Sequence, residues 1–177
     1  MQRRNKVLII VGCIVLATIA AAAATWYFYF VLEPDQKQKG NVIVQKEMLQ
    51  LFVPLSTSKL GRRTLEIRAD APDKERAELI IRELKKEKIL PPAVQLREVA
   101  AGLDGVLYLN LSRGLMEVQA GAPSEILMVY SLVNSFIASF KETRRVQLLF
   151  DGQPAYTIRG VVYTYAPLEF NRELLED

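Results

Sequence analysis

The sequence predicts an α/β (α+β) protein: a mixed β-sheet packed against two helices, preceded by one transmembrane helix. Three observations predict it. Short runs of β-prone residues recur along the chain, the clearest alternating apolar and polar positions. Two longer runs with helical spacing interrupt them. Near the N-terminus, Val7 to Leu32 form 26 residues without a charge.

That apolar run comes first. As a helix it exceeds the roughly 30 Å of bilayer hydrocarbon. Arg3, Arg4 and Lys6 precede it, and Trp26, Tyr27, Phe28, Tyr29 and Phe30 close it. Positive charge marks the cytoplasmic side, and Trp and Tyr favour the membrane–water interface. The expectation is a single-pass protein of the cytoplasmic (inner) membrane with its C-terminal domain outside. Two processing readings compete. Ala22 to Ala24 resemble a signal-peptide cleavage site, but the apolar run continues past them. Ile10 to Cys13 resemble a lipid-attachment site, but the long apolar stretch follows Cys13 instead of preceding it.

The predicted organisation is a basic leader (1–6), the anchor (7–32), a polar linker (33–46), a domain (47–152) and a C-terminal extension (153–177). Within the domain, Glu47 to Pro54 read as a strand and Ser56 to Arg63 as a hairpin loop. Thr64 to Ala69 alternate as a half-buried strand. Asp73 then caps a helix from Lys74 to about Glu87, whose apolar stripe is Ala77, Ile80, Ile81 and Leu84. Lys85, Lys86 and Lys88 gather at its C-terminal end, where positive charge opposes the helix dipole. Pro91 and Pro92 stop it.

Val94 to Ala100 and Val106 to Leu111 are two strands joined by a turn at Gly102 to Gly105. In the second, Leu107, Leu109 and Leu111 point one way, and Val106, Tyr108 and Asn110 the other. Ser112 to Pro123 read as a loop folding back through Leu115, Met116 and Val118. Ser124 caps a helix from Ile126 to about Phe140, with Leu127, Tyr130, Val133, Asn134, Ile137 and Phe140 on one face. Arg145 to Phe150 form another strand, ended by Asp151 and Gly152. Tyr156 to Tyr165 add a final strand or an extended segment, and Leu168 to Asp177 a short helix.

The chemistry offered is sparse. The chain has no histidine, and its only cysteine, Cys13, lies in the apolar run. No disulfide within the chain and no cysteine-based zinc site is possible. Beyond residue 6 the 20 remaining Lys and Arg balance the 20 Asp and Glu, so nothing attracts nucleic acid. No phosphate loop or hydrolase motif is present. Asp104 and Asp151 precede glycines, which is turn chemistry. Ser56, Ser58 and Lys59 share one loop but lack a companion base. No catalytic, metal or cofactor residue is assigned, and no cofactor is expected.

The region from about residue 48 to 152 resembles the GerMN domain family. The likeness runs through Leu49 to Val53, Glu66 to Arg68, Ile80 to Leu84, a V-x-L-x-L strand into Asn110 to Ser112, Glu125 to Ser135, and Val146 to Gly152. The family's Gly-Thr-type stretch is replaced by Pro91-Pro92-Ala93. The resemblance implies an extracytoplasmic α/β domain, similar to ring-building domains of secretion and sporulation assemblies and attached to the membrane by a lipid or a helix. It implies a non-catalytic scaffold or protein-interaction role, through self-association or a protein partner. Cell-wall or small-ligand binding is the alternative, with Arg113 to Pro123 as a candidate rim. Arg68, Tyr108 and Asn134 fall at matched positions and are candidate interaction residues. Each also has a plain structural reading: a solvated strand residue, a half-buried packing residue and a hydrogen bond along the helix.

Overall fold

The computed structural model describes residues 17–27, 45–102, 104–117 and 123–176. The chain divides into two units, Met1–Ile43 and Val44–Asp177. In the first, residues 17–27 are helical. The rest of the predicted span 7–32, the leader and nearly all of the linker lie outside the described residues. Among the described residues no helix is long and apolar enough to cross a membrane.

The second unit opens with a hairpin of β1 (Lys46–Pro54) and β2 (Leu60–Arg68). The predicted loop was too long. Pairing continues through Val53↔Gly61 to Pro54↔Leu60, and the Leu55 N–H donates to the Lys59 carbonyl to close a tight turn. The polar run that suggested a loop is a strand with Arg62 and Arg63 facing solvent. Gly61 leaves room for the exposed Leu55 side chain, which lies 2.5 Å from where a Cβ would sit and would have to swing aside for any larger residue.

Helix α1 (Asp73–Lys86) buries the predicted stripe Ala77, Ile80, Ile81 and Leu84. Its N-cap is Pro72, not Asp73, and makes no side-chain cap. Asp73 instead is the first helical residue, its charge near the positive end of the dipole. Arg76, on this helix, pairs with Glu47 of β1 and donates to the carbonyls of Ala69 and Ala71. That ties α1 to both strands of the hairpin.

Strands β3 (Leu96–Ala101), β4 (Val106–Leu111), β5 (Arg145–Phe150) and β6 (Leu168–Glu169) form a second sheet in that order. β3 and β6 are antiparallel to their neighbours, and β5 is parallel to β4. The expected single mixed sheet is therefore two sheets, of which the larger is mixed. Leu107, Leu109 and Leu111 enter the core from β4, as alternation predicted, and Val146, Leu148 and Phe150 enter it from β5. After β5, Asp151 and Gly152 both take positive φ (50° and 85°), the geometry of a tight hairpin turn.

Between β4 and β5 run a short 3₁₀ turn (Arg113–Met116), which buries Leu115, and helix α2 (Glu125–Ser139). The Ser124 hydroxyl caps α2 by accepting the Leu127 N–H at 3.4 Å. The single apolar face predicted for α2 is a correction. The helix is buried nearly all round, including Met128, Val129, Leu132 and Phe136, while Tyr130 and Ile137 are only half-buried. It packs against the hairpin, α1 and the large sheet. A helix enclosed on all sides loses the amphipathic period.

Along α2, Ser131, Ser135 and Ser139 recur every fourth residue. The Ser135 hydroxyl accepts the Phe52 N–H at 2.9 Å and donates to the Ser131 carbonyl. The Ser139 hydroxyl accepts the Gln50 N–H at 2.9 Å and donates to the Gln50 carbonyl at 3.1 Å. The helix thus takes the place of a third strand along the free edge of β1.

The tail is not helical. Leu168 and Glu169 pair with β5, and Leu175 then bridges to Leu60 in parallel. Residues 156–165 form an extended segment with one bridge, Thr157↔Tyr163, not a regular strand. Phe170, Leu174 and Leu175 pack on a second small core of Phe52, Leu60 and Leu127.

Replacing Ser135 by Ala strands the buried Phe52 N–H. The expected loss is about 1–3 kcal/mol, the cost of an unsatisfied buried donor, read from chemical denaturation. An exposed substitution such as Ser58→Ala serves as the control and should leave the midpoint unchanged.

Candidate functional site

The three residues singled out in the sequence do not converge. Arg68 ends β2 with its side chain half exposed, near Glu75 (3.4 Å) and Asp70 (3.8 Å). Tyr108 is partly exposed on the face of β4 opposite the core leucines. Asn134 is fully buried on α2. Its Nδ2 donates to the Asn171 carbonyl and its Oδ1 accepts the Asn171 N–H, both at 3.0 Å. This side chain does not bond along its own helix. It holds the C-terminal segment in place.

Several other polar groups do the same. Lys59 donates to the carbonyls of Glu173 and Leu175, while the Ser56 hydroxyl accepts the amides of Ser58 and Lys59. The loop that offered a serine and a lysine uses both for structure. Asp151 lies near Arg97 (3.6 Å) and Arg113 (3.8 Å), and Asp104 near Arg145 (3.4 Å). Among the described residues, no group of three or more His, Cys, Asp or Glu side chains is placed to hold a metal ion. A depression of about 600 Å³ lies between the β3–β4 turn and residues 141–144, lined by Asp104, Lys141, Glu142 and Arg144. Thr143 also lines it, but among the described residues the depression holds no hydrogen-bonded pair of nucleophile and base.

One surface stands apart, and Glu125 builds it. Ser124 starts α2, which puts the Glu125 carboxylate in the first turn. The residue is only 6 % exposed. Its Oε1 accepts the N–H groups of Ile158 (3.3 Å) and Val162 (3.1 Å), and its Oε2 that of Val161 (3.0 Å). Burial opposes the charge, but the amides of Arg159, Val162, Val161 and Ile158 outweigh it and hold the carboxyl below its usual range. Residues 157–163 therefore wrap around one carboxylate as a small hairpin, with Gly160 at φ 95° near its tip.

Thr164 fixes the other side. It is fully buried, its N–H donates to the Tyr156 carbonyl and its hydroxyl to the Ala155 carbonyl. Gln147 Nε2 donates to the Thr164 carbonyl at 3.2 Å. With Thr164 inward, its neighbours Tyr163 and Tyr165 face out. Tyr156 and Tyr165 stack at 4.7 Å with ring planes 11° apart, and Tyr163 sits tilted 6.4 Å from each. These tyrosines are 45–69 % exposed, and Val161 is 64 % exposed. From Gly152 to Leu168 the only charged residue is Arg159. The arrangement is a braced, almost uncharged aromatic surface, suited to binding. Sequence reading placed an extended segment here but missed the surface. The available signal was Tyr163 and Tyr165 at a period of two in a stretch without carboxylates.

The fold defines a class: a small α+β domain whose crossover helix is enclosed between a hairpin and a mixed sheet. The chain belongs to the Germane family, described as sporulation and spore germination, whose family model matches residues 27–156. Among solved structures, it is similar to the tandem GerMN domains of the sporulation protein GerM from Bacillus subtilis. That match has 15% identity and a TM-score of 0.54, and covers 71% of this chain and 46% of that one. The chain thus spans about half of the tandem protein. The first GerMN domain of the same protein matches with 17% identity and a TM-score of 0.52, over 72% of this chain and 98% of that one. At these identities the likeness is one of fold. A comparison with curated proteins finds no match.

Glu125 makes a pH-dependent contribution. Its folded carboxyl is held below the unfolded value, so the stabilisation is complete above the unfolded pKa and is lost as pH falls through the folded one. At neutral pH, Glu125→Gln should cost about 2 kcal/mol, the scale of charge-assisted hydrogen bonds. In urea titrations stepped down in pH, the gap between wild type and variant should narrow below the ordinary carboxylate range. A constant gap would show that the carboxylate charge is not what braces the hairpin.

Proposed function

We propose that this protein is a non-catalytic interaction module of the bacterial cell envelope, acting in sporulation or germination and tethered to the cytoplasmic membrane by its N-terminal apolar segment. Its C-terminal domain lies outside the cytoplasm. The observation that carries the non-catalytic reading is how the interior polar groups are used. Glu125, Asn134, Gln147, Ser135, Ser139 and Arg76 are each engaged by backbone groups. A catalytic group needs a partner it can exchange with substrate, and these groups are committed to holding chain segments. The family membership supports the cellular setting, and the uncharged run with its basic leader supports the tether.

Protease added to intact spheroplasts should digest the C-terminal domain and spare the N-terminal leader. Crosslinking in intact membranes should yield a homo-oligomer or a complex with an envelope protein. A strictly monomeric protein with no crosslinked partner, or retention of the domain on purified cell wall, would count against the interaction reading.

A further inference from the structure

We infer that the tyrosine surface formed by Tyr156, Val161, Tyr163 and Tyr165 docks on the lipid–water interface of the membrane. This rests on the tethering reading proposed above and adds which face of the domain meets the bilayer.

Four observations carry it. First, the surface is amphipathic in the way an interface requires. Tyrosine offers an apolar ring and a polar tip, and here three exposed phenols surround an exposed valine. Second, the segment itself brings no repelling charge: between Gly152 and Leu168 there is no carboxylate, and the one charged residue, Arg159, is partly buried and donates to the Glu117 carbonyl. Third, the tip is held before it binds. Glu125 fixes three amides of the hairpin and Thr164 fixes its base, so little ordering cost remains for docking. Fourth, the membrane is close by chain connectivity. Twelve residues separate Leu32 from Gln45. Fully extended they reach about 40 Å at most, which exceeds the roughly 20 Å length of α2 between its C-terminal end beside β1 and the hairpin held at Glu125. A tether this short makes weak interfacial contacts effective, because the second contact is then intramolecular.

The same chemistry argues less well for a solvated role. The exposed edge of the hairpin carries Arg62, Arg63 and Glu66, the pattern of a water-facing surface. With the tyrosines on lipid, such polar faces stay free for protein partners.

The test uses the full chain with Cys13→Ser, carrying an environment-sensitive fluorophore on Val161→Cys or, as control, on Thr57→Cys. Each protein is reconstituted into vesicles of phosphatidylethanolamine and phosphatidylglycerol containing lipids with a shallow spin-label quencher. The expected result is a blue-shifted emission at position 161 and quenching by lipid several-fold greater than at position 57. Replacing Tyr156, Tyr163 and Tyr165 together by Ser should abolish the difference. Alkaline carbonate washing of the same vesicles reads the tether separately. Aqueous emission at position 161 in protein that survives the wash overturns the docking inference and leaves the tether standing. Loss of the protein in the wash overturns the tether, and an aqueous label then overturns the docking as well. Quenching from a quencher-labelled second copy, with none from lipid, assigns the face to self-association and also overturns the inference.

Discussion

The free edge of β1 is the constraint around which this domain is arranged. One edge of β1 pairs with β2, and the other points into the protein, where bare N–H and C=O groups are costly. Here no strand covers that edge. Two hydroxyls on α2 do, at Ser135 and Ser139. Only a small hydroxylated side chain serves, because the helix backbone must come near the strand while still offering a hydrogen bond. Hence the four-residue repeat of serine in a helix made mostly of Leu, Val, Met, Ile and Phe. The serine at Ser131 extends the close approach, and its carbonyl receives the Ser135 hydroxyl.

Enclosing α2 has further consequences. Once one side lies against β1, the others must lie against the large sheet, α1 and the C-terminal segment. Most polar side chains on the helix then take a partner from whichever element they meet, the buried Ser131 hydroxyl being an exception. Asn134 meets residue 171 and Glu125 meets residues 158–162. The tail is therefore positioned by the helix. β6 contributes only two paired residues, too few to place a segment of this length. The tyrosine surface follows from the same chain of contacts: α2 places Glu125, Glu125 places the hairpin, and the hairpin leaves its rings outside.

This explains what could be read in the sequence. β4 was legible because its leucines alternate against Tyr108 and Asn110, and α1 because Ala77 to Leu84 keep one stripe. Ser124 was legible as a cap from local chemistry. The faces of α2 were not, since a helix buried on all sides has no polar face to set the period. The start of β2 was hidden by Arg62 and Arg63, which mimic a loop but are the solvent side of a strand. The tail was hidden for a different reason. Its order comes from bonds between residues 33 to 37 apart, such as Glu125 to Ile158 and Asn134 to Asn171. No local propensity encodes those. The trace they leave is an acid and an amide inside an apolar helix, and Asn134 was visible in that way as a candidate without its partner being visible.

The same economy bears on how this fold persists at 15–17% identity to its structural relatives. Its requirements are few and chemically loose. The core accepts any apolar residues with the right period and volume. The specific demands fall on small or hydrogen-bonding side chains that address backbone groups, as Ser135, Asn134 and Gln147 do. Backbone groups are the same whatever residue carries them, so partner positions such as Phe52 or Asn171 can change side chain without breaking the bond. Surface residues are then released from structural duty. A domain built this way can vary its outer faces while the enclosed helix keeps the layers in register.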